Sequence, residues 1–485
     1  MMIGTKRIDC SSMDPYDDPE MRNKVAVRAL ILLLITFIIS TLCLQGFNLV
    51  YKQVGIDVKA VDQAPLITGL PGIILGIVCF IYGSLGDFVS LKKLVTIGLT
   101  SLFIGSVFGF VANSCFEPNL WTVIAARIMQ TTGEQVAGSS FLVIATKYLR
   151  NDLKVIFFGL FTASYQLSAC IGVFSAGLLS SIAWQYLFLI PALTILILPA
   201  LLHYLPTKNG NGKKIDVVGF TVFGFAVASL TLFISYRNLL MLISAIILFI
   251  IFGIYISKAK EPFVTPAFFK NIRWLSGIIL MSIIYFTNYC ISPLFNRVGK
   301  TLYNMTTSQV ASYLVWAFIV AAIFGSCSGL IISRIGRKTG LLLAILFILC
   351  GWIGIAVLIN SGFLAIALCA CIYYAGCGMV YSPLASTILS SLPVEESGRG
   401  CGMNDLAISV SASVGVVIFD GILDKNMLSG DSITGASGIS SGFANISLMC
   451  AAVALLGIIV FTFRNFITKE SNAIEVDEDQ EQDQK

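Results

Sequence analysis

Arg127 has the clearest chemical promise in this sequence, because it stands inside the apolar run 120–145. A guanidinium within lipid costs roughly 2.5–3.5 kcal/mol on insertion scales, so it faces a cavity or a partner. Gln130, Thr131 and Glu134 follow it three, four and seven positions on. That spacing puts all four on one helix face, as a polar stripe about two turns long. Glu134 has two competing roles there. Removal from water favours a neutral carboxyl and suits a proton carrier, whereas nearby Arg127 favours the charged form and suits a fixed counter-ion. Ionisable groups within a membrane are functional by default, so the carrier role leads.

Other polar side chains interrupt apolar runs. Gln45 and Asn48 are three apart in the first run; their amides can hydrogen-bond a solute or join helices, but cannot carry a proton. Tyr285 and Asn288 are also i, i+3 neighbours, offering aromatic and amide character to an amphipathic solute. Asp405 and Asp420 fall near the two ends of one run, where contact with water is expected. The lone His203 sits at a run's end. The thirteen cysteines are scattered without a Cys-x-x-Cys, which argues against a zinc site or disulfide framework. No Walker loop or nucleophile–base spacing occurs, so neither an enzyme nor a nucleotide or other cofactor is indicated.

These residues need apolar elements to hold them. Hydrophobic residues form 57% of the 485 and charged ones 12%, against roughly 25% charge in soluble domains. Lipid is the solvent this composition suits. Fourteen runs approach the ~20 residues that cross a bilayer as a helix: 29–50, 64–84, 94–113, 120–145, 155–178, 184–204, 216–235, 239–257, 274–296, 308–332, 340–359, 362–388, 403–423 and 442–463. They are continuous rather than alternating, which favours helices over a β-barrel. The first run lacks a small-residue cleavage pattern and reads as an uncleaved span.

Lys and Arg set the orientation. With a cytoplasmic N-terminus, only Lys52, Lys59, Arg237, Arg297, Lys300 and Lys425 of the 31 basic residues fall outside, and Arg127 lies within a span. Both termini are therefore expected in the cytoplasm of a multi-pass cell-membrane protein. The acidic end, 470–485, reads as a solvated, disordered tail. The formal charge of +5 is spread over loops, with no basic patch that would suit nucleic acid.

Two loops repeat. One carries Gly83, Asp87, Lys92 and Lys93; the other carries Gly329, Arg334, Gly336, Arg337 and Lys338. In each, Gly allows close helix approach, then polar groups precede two basic residues, a set able to lock and release helix pairs. Repeated halves rocking about a central site are the general architecture of alternating access.

These loops resemble the G-x-L-x-D-x-x-G-x-[KR]-[KR] loop of the major facilitator superfamily. In its twelve-helix members the copies lie six spans apart; here they follow spans two and ten. The resemblance thus implies an inserted pair, as in the fourteen-helix drug:proton antiporter branch, and the sequence is most similar to Gram-positive tetracycline efflux proteins. Segments 121–148, 184–191 (WQYLFLIP), 261–272 (EPFVTPAFFKNI) and 396–423 carry the likeness. It implies an all-α major facilitator fold divided into a cytoplasmic tail (1–28), a six-helix bundle (29–206), the inserted pair (207–260), a second six-helix bundle (261–466) and the acidic tail (467–485). It also implies that Arg127 couples proton movement to transport. Gly172 and Gly177 match the packing glycines of the branch's fifth helix, while Val173 and Ala176 replace a proline and a glycine of that motif. The family has a small residue where Glu134 stands and an acid in the first span that this chain lacks.

The leading expectation is a monomeric secondary transporter, exporting a hydrophobic or cationic small molecule in exchange for protons. An uptake carrier or facilitator for a metabolite is the alternative, motivated by the replaced motif residues. A non-transporting sensor or scaffold is a third, and would require a folded soluble domain.

Overall fold

Backbone groups that cannot bond to lipid must satisfy one another, which apolar runs achieve as helices. The computed structural model describes residues 16, 19–85, 89–149, 151–207, 216–262, 264–389, 391–392, 397–425 and 427–468, and its regular elements among them are helical. In chain order they are α1 (Pro19–Asp57), α2 (Leu66–Leu85), α3 (Leu91–Ser114), α4 (Leu120–Glu134), α5 (Val136–Tyr148), α6 (Asn151–Leu179), α7 (Leu189–Ala192) and α8 (Leu198–Tyr204). There follow α9 (Val217–Tyr236), α10 (Leu239–Lys258), α11 (Pro266–Lys270), α12 (Ile272–Tyr285), α13 (Ile291–Leu302), α14 (Thr307–Ile335), α15 (Arg337–Val357), α16 (Phe363–Leu389), α17 (Ser397–Asp424) and α18 (Ile439–Thr468). Of the expected tails 1–28 and 467–485, residues 1–15, 17–18 and 469–485 lie outside the described residues, as does Asp87.

Among the described residues, twelve helical segments are long and apolar enough to cross a membrane. The expectation of fourteen continuous spans is corrected by that number. The other two runs are each divided into shorter helices. Run 120–145 becomes α4 and α5, separated at Gln135, just beyond Gly133, a residue that weakens a helix by about 1 kcal/mol relative to Ala. Run 274–296 becomes α12 and α13, with turns between them. Pro293, third in α13, lacks an N–H and would clash with the carbonyl four residues earlier in a continuous helix. Hydropathy sees neither break, since both leave the run apolar.

At its start α1 begins ten residues before the apolar run, at Pro19. Proline suits a first helical position because its missing N–H would be unpaired there anyway. The helix is 39 residues long, about 58 Å at 1.5 Å per residue, and outreaches a ~30 Å hydrocarbon layer. Below, the end of the bundle where α1 begins is called the tail side and the other the far side.

Two groups of helices pack around a shared centre. In the first, α1 lies on α6 and α5, and α4 on α2 and α3; in the second, α16 lies on α14 and α15, and α18 on α15 and α12. The groups meet along two long seams, α2 with α17 and α6 with α14, and α1 also reaches α13. Gly172 and Gly177 lie at close approaches. A Cβ on Gly172 would stand 1.9 Å from the Leu42 carbonyl oxygen, and one on Gly177 2.4 Å from the Ala311 Cβ. The first contact joins α6 to α1 and the second joins it to α14.

Helices α9 and α10 form a hairpin that packs chiefly on itself, with α9 also touching α2 and α17. Phe220 of α9 meets Phe80 of α2 at 5.0 Å between ring centroids. Ile243, Ile246, Ile247, Ile250, Ile251 and Ile254 of α10 face outward. Such a surface would drive association in water but matches hydrocarbon.

Candidate functional site

Between the two helix groups is a cavity of about 110 Å³. The first group contributes Phe37, Phe161 and Tyr165 to its wall, and the second Tyr285, Tyr289, Phe318, Tyr374 and Tyr381. Four amides, Gln45, Gln135, Gln166 and Asn288, share the wall with them. Asp405 is its carboxylate, and none of the lining residues is Lys, Arg or His. Both helix breaks open here. Gln135 comes from the α4–α5 junction, while Asn288 and Tyr289 come from the α12–α13 junction. An interrupted helix can turn side chains and unsatisfied backbone toward a solute that a continuous helix would shield.

The expected site residues divide between this wall and a buried layer behind it. Gln45, Tyr285 and Asn288 line the cavity. Asn48 does not; it is fully buried and donates its amide N–H to Gln45 Oε1 at 3.3 Å, so it can steady Gln45. Arg127, Gln130 and Glu134 are each about 1% exposed and lie outside the cavity lining. Arg127 Nη1 donates to Gln130 Oε1 at 2.9 Å, and Gln130 Nε2 donates to Ser106 Oγ at 2.8 Å and to the Phe188 carbonyl at 3.2 Å. The guanidinium lies 4.8 Å from the Phe47 ring centroid, a cation–π distance.

Glu134 closes this stripe at the α4 terminus. Its backbone carbonyl, released by the break, accepts a hydrogen bond from Ser40 Oγ at 2.8 Å. Neither carboxylate oxygen has a hydrogen-bond partner among the described residues. Arg127 acts on it through space. A buried carboxyl that is unbonded yet adjacent to an arginine network can hold or release a proton, the chemistry required of a coupling group.

Asp420 departs from the expectation of a wetted position, whereas Asp405 is half-buried. Asp420 has no exposed side chain; it pairs with Lys52 Nζ at 2.6 Å and with Arg297 Nη1 at 3.4 Å. Asp424 joins the same two cations. Lys52 is on α1, Arg297 on α13 and the aspartates on α17, so this cluster ties the two helix groups together at the far side. Asn296 strengthens the joint by donating Nδ2–H to the Leu49 carbonyl at 2.7 Å. Asp405, in contrast, borders the cavity and accepts from Tyr381 Oη at 3.2 Å. A sequence signal for the burial of Asp420 existed in its position within an apolar run, but its distance from the run's centre obscured it.

On the tail side, Gly83 falls in the last turn of α2, while Lys92 and Lys93 open α3. Arg337 and Lys338 open α15. Gly336 joins α14 to α15 with φ +83°, a left-handed geometry that favours glycine. Gly329 has open space where a Cβ would project, and Arg334 is exposed.

A helical bundle with a polar-aromatic cavity between two packed halves defines a membrane transport protein. The Major Facilitator Superfamily model matches residues 33–416, and the chain belongs to that family. It is 23% identical over 460 residues to "Riboflavin transporter RibZ" of Clostridioides difficile (strain 630), across 92% of this chain and 98% of that protein. It is 22% identical over 382 residues to "Multidrug resistance protein 3" of Bacillus subtilis (strain 168), covering 74% and 72%. Among solved structures, the peptide transporter POT in complex with sulfate superposes with a TM-score of 0.64 at 15% identity, covering 93% and 99%. The human organic anion transporter MFSD10 does so with a TM-score of 0.56 at 11% identity, covering 92% and 100%. These structural likenesses show a common fold.

Proposed function

We propose that this chain is a proton-coupled secondary transporter whose cargo is a planar aromatic small molecule, neutral or cationic, carried by alternating access. The observation behind the reading is the cavity wall, with eight aromatic rings, four amides and one carboxylate but no basic side chain. Rings stack on a flat solute, amides bond its heteroatoms, and the absence of a cation disfavours an anion. Glu134 is the proton carrier and Arg127 with Gln130 its coupling partner. Export is the proposed direction, and likeness to a multidrug resistance protein supports it. Likeness to a riboflavin transporter over nearly the whole chain supports a second reading, in which the cargo is a flavin-like metabolite and the protein a carrier for it.

The transport unit is one chain in the cell membrane, with Arg127, Gln130 and Glu134 in the first six-helix half (29–206). Both termini are cytoplasmic, and 207–260 is a helix pair inserted between the two halves. The repeated loops containing Gly83, Asp87, Lys92 and Lys93, and Gly329, Arg334, Gly336, Arg337 and Lys338, act in tail-side gating.

Purified protein in proteoliposomes tests the function. An imposed pH gradient should drive ethidium or riboflavin against its concentration gradient, with proton movement in the opposite direction for export. Flux indifferent to the gradient removes coupling, and proton movement with the solute establishes uptake. No flux of any planar aromatic solute refutes the transport reading.

A further inference from the structure

We infer that Asp405, oriented by Tyr381, is the subsite for a positively charged nitrogen on the transported solute. The inference rests on the cavity being the transport site and narrows its cargo to an aromatic cation. Asp405 reaches the wall from α17, and Tyr381 reaches it from α16 to occupy Oδ1. Oδ2 receives no hydrogen bond from the described residues.

Asp405 differs from the two fully buried carboxylates, Asp420 and Glu134. Asp420 faces Lys52 and Arg297. Glu134 has Arg127 in electrostatic reach and stands behind the wall. Asp405 forms no ion pair among the described residues and borders empty space. Asp405 is half-buried at the cavity wall; a carboxylate there with no protein cation beside it attracts a countercharge, and the space for one is in the cavity. Tyr165 and Tyr285, from opposite halves, line the same cavity as Asp405. Their rings are thus placed to border a cation whose charge meets the carboxylate, adding cation–π attraction. A neutral aromatic solute gains the stacking but leaves Oδ2 without a partner. An anion would face Asp405 with no compensating side chain.

Full-length protein in nanodiscs, titrated with ethidium as the planar cation and riboflavin as the planar neutral probe, tests the subsite. Asp405→Asn should weaken ethidium about 10- to 100-fold, the range of a hydrogen bond to a charged group, and change riboflavin far less. Tyr381→Phe should weaken ethidium less, by about 2- to 10-fold, because the carboxylate keeps its charge and loses only the hydrogen bond that positions it. Asp405→Glu keeps the charge and should retain ethidium binding. Equal losses for both probes, unchanged ethidium binding in Asp405→Asn, or no ethidium binding by the unaltered protein overturns the inference. If riboflavin binds neither form, retention in Asp405→Glu against loss in Asp405→Asn supports the subsite, and equal behaviour of the two variants overturns it. Proteoliposome flux is a separate readout: ethidium binding without transport removes the proposed function while leaving the cation subsite.

Discussion

The far-side cluster offers a test in which two lesions should be milder than one. Lys52 and Arg297 balance Asp420 and Asp424. Asp420→Asn leaves one positive charge in excess, and Lys52→Met leaves one negative charge in excess. Removing one partner of a buried pair costs about 3–5 kcal/mol. Because Asp424 still bridges the cations after Asp420→Asn, the lower end, ~3 kcal/mol, is expected. That cost falls on the arrangement in which α1, α13 and α17 are joined. Hydrogen exchange in nanodiscs should therefore accelerate roughly 100-fold in far-side peptides spanning 50–63 and 295–306. Combining Lys52→Met with Asp420→Asn restores neutrality and keeps Arg297 with Asp424, so exchange should return to within about tenfold of the unaltered protein. Double-variant exchange equal to the product of the single effects would refute charge balance as the source of the cluster's stability.

Three further outcomes follow from individual contacts. Glu134→Gln preserves shape but cannot carry a proton, so gradient-driven flux should fall to the no-gradient rate while equilibrium ethidium binding persists; retained gradient dependence removes Glu134 as carrier. Gly172→Val would press a side chain into the Leu42 backbone and should abolish the monodisperse peak in size-exclusion chromatography, whereas Gly253→Ala has open space and should gain up to about 1 kcal/mol of helix stability. Fluorescein, a planar aromatic anion, should be excluded from proteoliposomes that carry ethidium; comparable flux of the two dyes contradicts a wall selective against negative charge.

The fold's material was legible in the apolar runs, because lipid demands a local pattern: long helices with few charges. The family followed from the repeated loops and from Arg127. Interruptions at Gln135 and near Asn288 were not legible in hydropathy, although Gly133 and Pro293 were available as signals. At the site, helical periodicity correctly linked Arg127 to Gln130, a contact three positions apart on one helix. It could not show that this pair faces Ser106 and Phe188 rather than the cavity, because direction depends on where another helix packs. Asp405 and Asp420 illustrate the same limit. They share α17, yet one borders the cavity and the other meets cations from α1 and α13, partners far apart in sequence.

The α9–α10 hairpin makes the bundle's two seams unequal. Touching both α2 and α17, α9 puts an outer wall over one seam, and α10 adds a layer beyond it. Along the other seam α14 contributes Phe318 to the cavity and displays Trp316, Ile323 and Leu330 on its outer surface. The protein thus has a double-walled flank and a single-walled flank. A lipid or membrane-dissolved compound pressing on α14 acts one helix away from the cargo, whereas the same compound on α10 is insulated from it, giving the annular lipid shell a sensitive side.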